Sequence, residues 1–328
     1  MKDDKIFVGI DVGGTSVKIG LFSTKVRLLD KWEIKTVVSN DCMPLLESIV
    51  DSIRGKIDTD RIEGIGIGVP GPVNADSVCF GCVNLGWGVE DAATKMKKIL
   101  PHVTNVKVLN DANAACLGEL KSGAGKGYES AFMLTLGTGI GGGYAIADDV
   151  LRGTHGAAGE VGHIIVNPSE TLSCNCGRQG CLEQYCSAKG VARMAKEMLA
   201  KEPCDTKLNA IKDFTSKEIC DFAKANDEFA IKVLDRFSDY LGLALSHLAC
   251  TVDPAVFIIG GGMSKAGDIV IDAIKKGYAK YAFLVTKDTD IKQAELKNDA
   301  GMYGAVWSLL TNVTDNHFTD NNDNTNNR

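Results

Sequence analysis

The sequence lacks an excess of positive charge and has no long apolar run. Among its 328 residues, 42 acidic side chains outnumber 36 Lys and Arg, which gives a formal net charge of -6. Such a surface has no basic field to concentrate polyanions, so nucleic acid is not an expected partner. No apolar stretch approaches the roughly 20 residues that cross a bilayer, and the acidic start of the chain, Met1 to Asp4, does not resemble a secretory signal. We therefore expect a cytoplasmic protein without a membrane partner.

Eleven cysteines are present, but the chain lacks the small size and the secretion signal that are typical of disulfide-stapled proteins. Reduced thiols are therefore expected. Most of them lie singly or in pairs among apolar or turn residues and are interpreted as packing residues. This group comprises Cys42, Cys79, Cys82, Cys116, Cys204, Cys220 and Cys250.

The order of apolar patterns predicts a mixed α/β protein of two domains with a cleft between them. Residues 5–21 alternate as a β-hairpin around a glycine turn, and a helix is expected over 44–57, followed by strands at 64–69 and 106–109. A second strand–glycine–strand unit, 130–136 and 143–147, repeats the opening plan and indicates an internal duplication. Helices are predicted over 188–201, 216–225 and 229–249, and a buried strand over 255–259.

We place a small domain at 1–121, completed by a C-terminal helix at 299–313, and a large domain at 122–298. The tail 314–328 is nearly all Asn, Asp and Thr. It has little to bury and is expected to be disordered.

Two glycine loops are candidate phosphate sites. Gly137 to Gly142 matches GxGxxG, the pattern of a dinucleotide-binding turn, but such a turn must open a helix, and here the following residues alternate as a strand. A glycine hairpin still lets backbone N–H groups approach phosphate oxygens, and Thr138 adds a hydroxyl donor. The loop after Asp11 has the same build, with a carboxylate suited to magnesium or its waters. Each loop alone is as consistent with a tight structural turn; as a pair in duplicated domains they favour a nucleotide clamp.

Asp111 follows a short buried strand at the start of an alanine-rich helix. An Asp at this place is most often a helix cap. It can also be the carboxylate that accepts a proton in phosphoryl transfer to a hydroxyl. Asn110 beside it has an amide that both donates to and accepts from hydroxyl groups.

Cys174, Cys176 and Cys181 follow His163, with glycines that allow tight turns between them. Three Cys and one His match the closed tetrahedral site of structural zinc. An iron–sulfur cluster that includes Cys186 and a redox CxC pair are the alternatives.

The segments DVGGTSVK at 11–18 and LGTGIGGG at 136–143 resemble the two phosphate motifs of the sugar kinase, actin and Hsp70 superfold, and Gly260-Gly261-Gly262 resembles its adenosine motif. Within that superfold, GHIIVN followed by CNCGRQGCLE resembles the ROK family, over about residues 5–312. The resemblance implies a two-domain actin-like ATPase fold, related to ribonuclease H, with duplicated mixed sheets and an interdomain cleft. It also implies an enzyme that uses ATP and Mg²⁺ to phosphorylate a hexose and that holds structural Zn²⁺.

The family pattern carries roles over to matching positions of this chain. Asp111 becomes the general base. The implied sugar-binding residues are Gly71, Asn84, Asn110, Asp111, Glu160, His163 and Glu183. The implied nucleotide-binding residues are Asp11, Gly13, Gly14, Thr15, Lys18, Gly137, Thr138, Gly139, Gly261 and Gly262. The implied zinc ligands are His163, Cys174, Cys176 and Cys181. Without the resemblance, Glu160 and Glu183 are better read as solvated charges.

The segment Asn84 to Trp87, NLGW, resembles glucokinases of the family, which makes glucose the first choice over N-acetylmannosamine, N-acetylglucosamine, mannose or fructose. The width of the pocket around the sugar's 2-substituent decides between glucose and N-acetyl sugars, and the sequence does not give it. One rival is a sugar-responsive repressor of the same family, which would need a DNA-binding domain before Lys5. Another is a non-catalytic sugar-binding module, against which the intact base and phosphate loops argue. The family habit implies a homodimer or homotetramer.

Overall fold

The computed structural model describes residues 5–310, and these form an α/β structure built on two five-stranded mixed sheets and one small two-stranded sheet. The strands are β1 Ile6–Val12, β2 Ser16–Ser23, β3 Leu28–Lys35, β4 Ile62–Val69, β5 Cys79–Cys82, β6 Trp87–Glu90, β7 Asn105–Asn110, β8 Ser130–Leu136, β9 Ile140–Ile146, β10 Asp149–Val150, β11 Val256–Gly260 and β12 Asp290–Gln293. The helices are α1 Met43–Arg54, α2 Ala92–Ile99, α3 Asp111–Ser122, α4 Glu183–Cys186, α5 Ala188–Lys201, α6 Ser216–Lys224, α7 Glu228–Val252, α8 Asp268–Tyr281 and α9 Ala300–Leu310.

The two large sheets repeat one topology. The first has the strand order β3-β2-β1-β4-β7, with antiparallel pairs on the β3 side and parallel pairs from β1 to β7. The second has the order β10-β9-β8-β11-β12 with the same pattern of directions. Each sheet therefore begins with an antiparallel hairpin whose first strand continues into parallel pairs, and the predicted duplication is confirmed.

Each sheet has its own hydrophobic core. Alternating residues of the first sheet pack with the apolar faces of α1 and α2, whereas the second sheet is covered by the long helix α7 and its neighbours α5, α6 and α8. The burial of these faces is the main stabilising contribution to both halves. The division into domains at residue 121 stays a prediction.

Helices α3 and α9 pack closely against each other between the sheets. A methyl group on Gly304 would overlap the carbonyl oxygen of Ala114, and one on Gly118 would overlap that of Ala300. α9 packs equally closely on the first sheet at Gly66 of β4, where a methyl group would overlap the carbonyl oxygen of Ala305. Only glycine permits this spacing, which fixes α3 relative to the first sheet.

Several predicted bounds need correction. The second strand of the later hairpin begins at Ile140 and not at residue 143, so three glycines lie inside β9. Glycine is needed within this strand because other backbone segments pack directly on it. A methyl group on Gly143 would lie 3.0 Å from the carbonyl oxygen of Ala112, and a methyl group on Gly142 would lie 2.7 Å from the carbonyl oxygen of Gly159. The structure adds β3, β10, β12 and α8, which the sequence patterns did not indicate.

The predicted C-terminal helix is described only as far as Leu310, and residues 311–313 with the tail 314–328 lie outside the described residues. Among residues 5–310, no helix combines the length and the apolar character that crossing a bilayer requires.

Candidate active site

A cleft with a volume of about 800 Å³ lies where the carboxyl edges of the two large sheets face each other. Parallel strands end at a common edge, so Asp11 at the end of β1 and Asp111 just after β7 come to the same side of the first sheet. From the second sheet, the β8–β9 turn and the glycines after β11 line the opposite side. The predicted residues that line this cleft are Asp11, Lys18, Asp111, Gly137, Thr138, Gly139, Glu183, Gly261 and Gly262.

Asp111 is the first residue of α3, and its carboxylate lines the floor of the cleft. The interpretation of Asp111 as the helix cap is wrong, because Asn110 is the cap residue: its Oδ1 accepts hydrogen bonds from the N–H groups of Ala112 and Asn113 at 3.0 and 3.1 Å. Asp111 is therefore free of the capping role, although its Oδ1 accepts one hydrogen bond from the N–H of Ala112 at 2.8 Å.

The pKa of Asp111 is raised from 3.8 to about 6, mainly by burial and also by the negative charges of Asp11 and Glu160, which together outweigh the lowering effect of the Ala112 hydrogen bond. A carboxylate with this pKa is ionised at neutral pH and binds a proton more readily than an ordinary Asp. These are the properties that a general base needs.

Asp11 forms an ion pair with Lys18, whose Nζ lies 3.0 Å from Oδ2. Both side chains are partly shielded from solvent, and the two residues face each other across the β1–β2 hairpin, where they are directly paired. Within residues 5–310, Asp11 Oδ1 accepts no hydrogen bond from the protein. An oxygen of this kind at the cleft is a suitable ligand for Mg²⁺ or for its bound waters.

The glycine turn of residues 137–139 joins β8 to β9 as the sequence predicts, so it is a hairpin and not a helix-opening dinucleotide turn. Gly261 follows β11 with φ of +85°, and a methyl group there would lie 2.5 Å from the backbone N of Leu136. This contact requires glycine and keeps the two backbone segments together. The side of the cleft next to the second sheet is therefore built largely of backbone, as a phosphate and nucleoside site would be.

Glu183 connects the hairpin to the segment that follows the cysteine cluster. Its Oε2 accepts a hydrogen bond from the N–H of Ile140 at 2.9 Å, and a methyl group on Gly139 would overlap this carboxylate. The N–H of Ala188 donates to the carbonyl oxygen of Gly137 at 2.8 Å, at the other end of the turn. Glu183 is therefore a partly buried, hydrogen-bonded group and not a solvated charge.

The other predicted sugar residues lie beside this cleft and do not line the same volume. The Nδ2 of Asn110 donates to the carbonyl oxygen of Gly71 at 3.2 Å, which leaves its second N–H as the group available for a ligand. Asn84 is exposed and its Cβ lies 3.6 Å from where a methyl group on Gly14 would be. Glu160 is exposed, but it is near enough to act on the pKa of Asp111.

The first glycine turn does not line the cleft. Gly13 closes it by donating to the carbonyl oxygen of Ser16 at 3.0 Å, and Thr36 donates its hydroxyl to the carbonyl oxygen of Gly13 at 2.7 Å. Gly14 and Thr15 are exposed at the tip.

The cysteine cluster brings the four predicted ligand side chains together. The donor atoms of His163, Cys174, Cys176 and Cys181 all lie within 4.8 Å of one another. The Sγ of Cys174 is 3.8 Å from His163 Nδ1, and the Sγ of Cys176 is 3.6 Å from that of Cys181. Tetrahedral zinc with Zn–S bonds of about 2.3 Å places its sulfur ligands roughly 3.8 Å apart, so the spacing fits this ion.

Cys186 lies apart from that cluster. It is fully buried in α4, and its Sγ is 3.6 Å from the carbonyl oxygen of Phe237. It is therefore not placed as a fourth thiolate, and the iron–sulfur alternative has no support in the described residues. Of the cysteines interpreted as packing residues, Cys204 and Cys250 are exposed and the other five are buried.

One end of the cleft, beyond the glycines after β11, is lined by polar residues that the sequence analysis did not identify. These are Ser264, Lys265, Gln293, Lys297 and Asn298. The Nε2 of Gln293 donates to the carbonyl oxygen of Ser264 at 2.8 Å, which fixes the side-chain amide at the rim. Gln293 ends the four-residue strand β12, which no pattern in the sequence indicated. Its place at the end of a strand of the second sheet was therefore the only feature that could have pointed to it.

Comparison with known proteins gives consistent matches over nearly the whole chain. The sequence model of the ROK family matches residues 7–312. The glucokinase of Halalkalibacterium halodurans is 39% identical over 318 residues, covering 93% of this chain and 94% of that protein. The N-acetyl-D-glucosamine kinase of Vibrio cholerae is 28% identical over 317 residues, covering 92% of this chain and 99% of that protein.

Among solved structures, a ROK family glucokinase from Streptomyces griseus in complex with glucose and AMPPNP superposes with a TM-score of 0.73 at 32% identity, covering 92% of this chain and 98% of that chain. This agreement confirms the fold class expected from the sequence.

Proposed function

The chain belongs to the ROK family, and we propose that it is a glucokinase that transfers the γ-phosphoryl group of ATP to glucose to give glucose 6-phosphate. The observation that carries this proposal is the 39% identity to a glucokinase over 93% of the chain. It agrees with a cleft that has the carboxylate of Asp111 on one side and glycine-rich backbone on the other. Kinases of N-acetylated hexosamines match at lower identity.

Asp111 is proposed as the general base. With a pKa of about 6, roughly nine in ten of these carboxylates are ionised at pH 7, and each can accept the proton of the sugar's 6-hydroxyl as the oxygen attacks. The capped start of α3 and the glycine contacts of α9 hold the carboxylate in place. Phosphoryl transfer depends mainly on such positioning and on charge stabilisation.

The N–H groups of the turn at residues 137–139 and the hydroxyl of Thr138 are proposed to hold the phosphates of ATP. Asp11 is the residue that would hold Mg²⁺, and this ion would supply neutralisation of the phosphate charge. Lys18 orients the Asp11 carboxylate through their ion pair. Gly13, Gly14 and Thr15 support this hairpin, and Gly261 and Gly262 are proposed to lie against the nucleoside.

Glu160, His163 and Glu183 are proposed as the ligands of the sugar hydroxyls, with Gly71, Asn84 and Asn110 completing the pocket. Structural zinc bound by His163 and the three cysteines would fix the segment that leads to Glu183. Because Glu183 also accepts a hydrogen bond from the turn at Ile140, it connects the sugar side to the phosphate side. Sugar and nucleotide binding are therefore coupled through this residue.

A substrate panel tests the proposal. Purified protein should show its highest kcat/KM with glucose when ADP formation is followed for glucose, mannose, fructose, N-acetylglucosamine and N-acetylmannosamine. A preference for an N-acetyl sugar would replace glucose by that substrate and leave the kinase assignment in place. A cytoplasmic location and a homodimer or homotetramer remain proposals from the sequence and the family.

A further inference from the structure

Cys79 and Cys82 form a pair of thiols in contact beside the proposed sugar pocket. Their Sγ atoms are 3.1 Å apart, which makes them hydrogen-bonded in the reduced chain and about 1 Å further apart than the sulfurs of a disulfide. Both side chains are 0% exposed. The proposed function uses neither residue.

The local backbone brings these two side chains together. Cys79 and Cys82 begin and end β5, and residues three apart in a regular strand point to opposite faces. Gly81 between them has φ of +127°, a conformation that side-chain-bearing residues rarely adopt, and this turns the chain so that both sulfurs face inward. β5 pairs with β6, Cys79 opposite Glu90 and Cys82 opposite Trp87, and Cys79 also forms an antiparallel bridge with Val73 on its other side.

Short contacts connect this pair to the proposed catalytic base. The Sγ of Cys82 lies 2.7 Å from where a methyl group on Gly71 would be, so sulfur and backbone are in contact there. The carbonyl oxygen of Gly71 accepts the hydrogen bond from Asn110, the cap of the helix that begins with Asp111. Asn84 follows Cys82 by two residues. A displacement of the Cys82 backbone is therefore transmitted to the sugar pocket.

We propose that Cys79 and Cys82 are a reversible redox modification site, at which a peroxide converts the two thiols to a disulfide that weakens sugar binding. The disulfide itself is independent of the proposed function, whereas its effect on sugar binding rests on it. Closing the distance between the sulfurs shifts the backbone next to Gly71 and Asn84. A misplacement of about 1 Å can cost up to about 10²-fold in rate, and here the displaced groups are those proposed to hold the sugar.

The oxidation balances in two steps. The Cys79 thiolate attacks one oxygen of hydrogen peroxide, the O–O bond breaks, and hydroxide leaves and takes up a proton as water, which gives a sulfenic acid. The sulfur of Cys82 then attacks the Cys79 sulfur, loses its proton and expels the second oxygen as water. Two thiols are oxidised and one peroxide is reduced to two waters, and a dithiol reductant reverses the bond by exchange.

Two features of the pair support this sequence of steps. With Cys82 as the hydrogen-bond donor, the pKa of the Cys79 thiol falls to about 7, so that a substantial fraction is thiolate at neutral pH. The sulfurs lie on the core side of β5, whereas the other face of this strand pair, with Phe80 and Val89, is exposed to solvent, so local opening of the segment gives a small oxidant access to them.

Peptide mass analysis tests the site on the wild-type chain. Trypsin cleavage after Arg61 and Lys95 gives a peptide, residues 62–95, that contains both cysteines and no others. After exposure to hydrogen peroxide and blocking of free thiols, this peptide should lose the mass of two hydrogen atoms and resist alkylation. A peptide that remains alkylated at both cysteines while the protein loses activity would overturn the proposal.

Kinetics test the effect. The oxidised wild type should show a KM for glucose raised at least tenfold, restored by dithiothreitol, whereas Cys79→Ser should keep its starting KM after the same treatment. An equal loss in Cys79→Ser would assign the effect to other cysteines, such as those of the zinc cluster. An unchanged KM in a wild type whose peptide carries the disulfide would also refute it. Failure of the reduced enzyme to phosphorylate glucose would refute the proposed function and leave the peptide result valid.

Discussion

Replacing Asp111 by Asn removes the proposed proton acceptor and changes little else. The amide oxygen can still accept the N–H of Ala112, which lies 2.8 Å from Oδ1 in the wild type. An amide does not take up a proton at neutral pH, so kcat should fall by roughly 10²–10⁴-fold. The Kd for glucose should change little, because the shape of the side chain is kept.

The same substitution should stabilise the fold at pH 7. The raised pKa of Asp111 means that the folded chain binds this proton more tightly than the unfolded chain does. Below pH 3.8 the carboxyl group is protonated in the folded and in the unfolded chain, and it does not change the free energy of unfolding. As the pH rises from 3.8 to about 6, the group lowers the free energy of unfolding progressively, and above pH 6 this destabilisation is constant. The difference of about two pK units corresponds to about 3 kcal/mol, and to less where water in the cleft solvates the carboxylate.

Steady-state kinetics and thermal unfolding check both effects on the same samples. Asp111→Asn should have a melting temperature a few degrees above that of the wild type at pH 7.5, and the difference should narrow as the pH is lowered to 5. Asp272→Asn, at an exposed position of α8, is the matched control and should change neither kcat nor the melting temperature. Near-normal kcat in Asp111→Asn would refute the base assignment. A lower melting temperature would refute the account of its pKa.

Three further predictions concern pH, the phosphate turn and the metal. The kcat/KM for glucose should fall tenfold per pH unit below about pH 6, because the base with a pKa of about 6 must be ionised; a pH–rate profile that is flat down to pH 5 would contradict this. Gly139→Ala should raise the KM for both ATP and glucose, because the added methyl group displaces the Glu183 carboxylate. Gly137→Ala, where the nearest atom is 3.8 Å away, should raise the KM for ATP alone. Equal effects of the two variants on the KM for glucose would exclude coupling of the two binding sites through Glu183. Metal analysis should find one zinc per chain in the wild type and in Cys186→Ser and none in Cys176→Ser, and a metal-free wild type would remove the zinc proposal.

The sequence predicts those parts of the site that depend on local chain geometry. Alternation and glycine placement identified the hairpins at both phosphate motifs, and the order of strands indicated the duplication. The spacing of the cysteines predicted the cluster with His163, whose four donor atoms the fold brings within 4.8 Å. In these cases the residues that interact are close in sequence, or their chemistry is restrictive.

Features that depend on tertiary contacts could not be predicted from the sequence. Asp111 and Asn110 are both capping residue types, and only the backbone shows that Asn110 is the cap. The glycines within β9 look like loop residues until the packing of α3 and of Gly159 on that strand is known. The hydrogen bond from Ile140 to Glu183 joins residues 43 apart in the chain, and no pattern predicts it.

The central claim is that this chain moves the γ-phosphoryl group of ATP to glucose. Phosphorus NMR of purified protein with glucose, ATP and Mg²⁺ measures the transfer directly. The account predicts equal amounts of ADP and glucose 6-phosphate, no free phosphate beyond that of a sample without glucose, and no transfer by Asp111→Asn on the same timescale. ATP left unconsumed with every hexose, or ADP formed with free phosphate and no sugar phosphate, would contradict it.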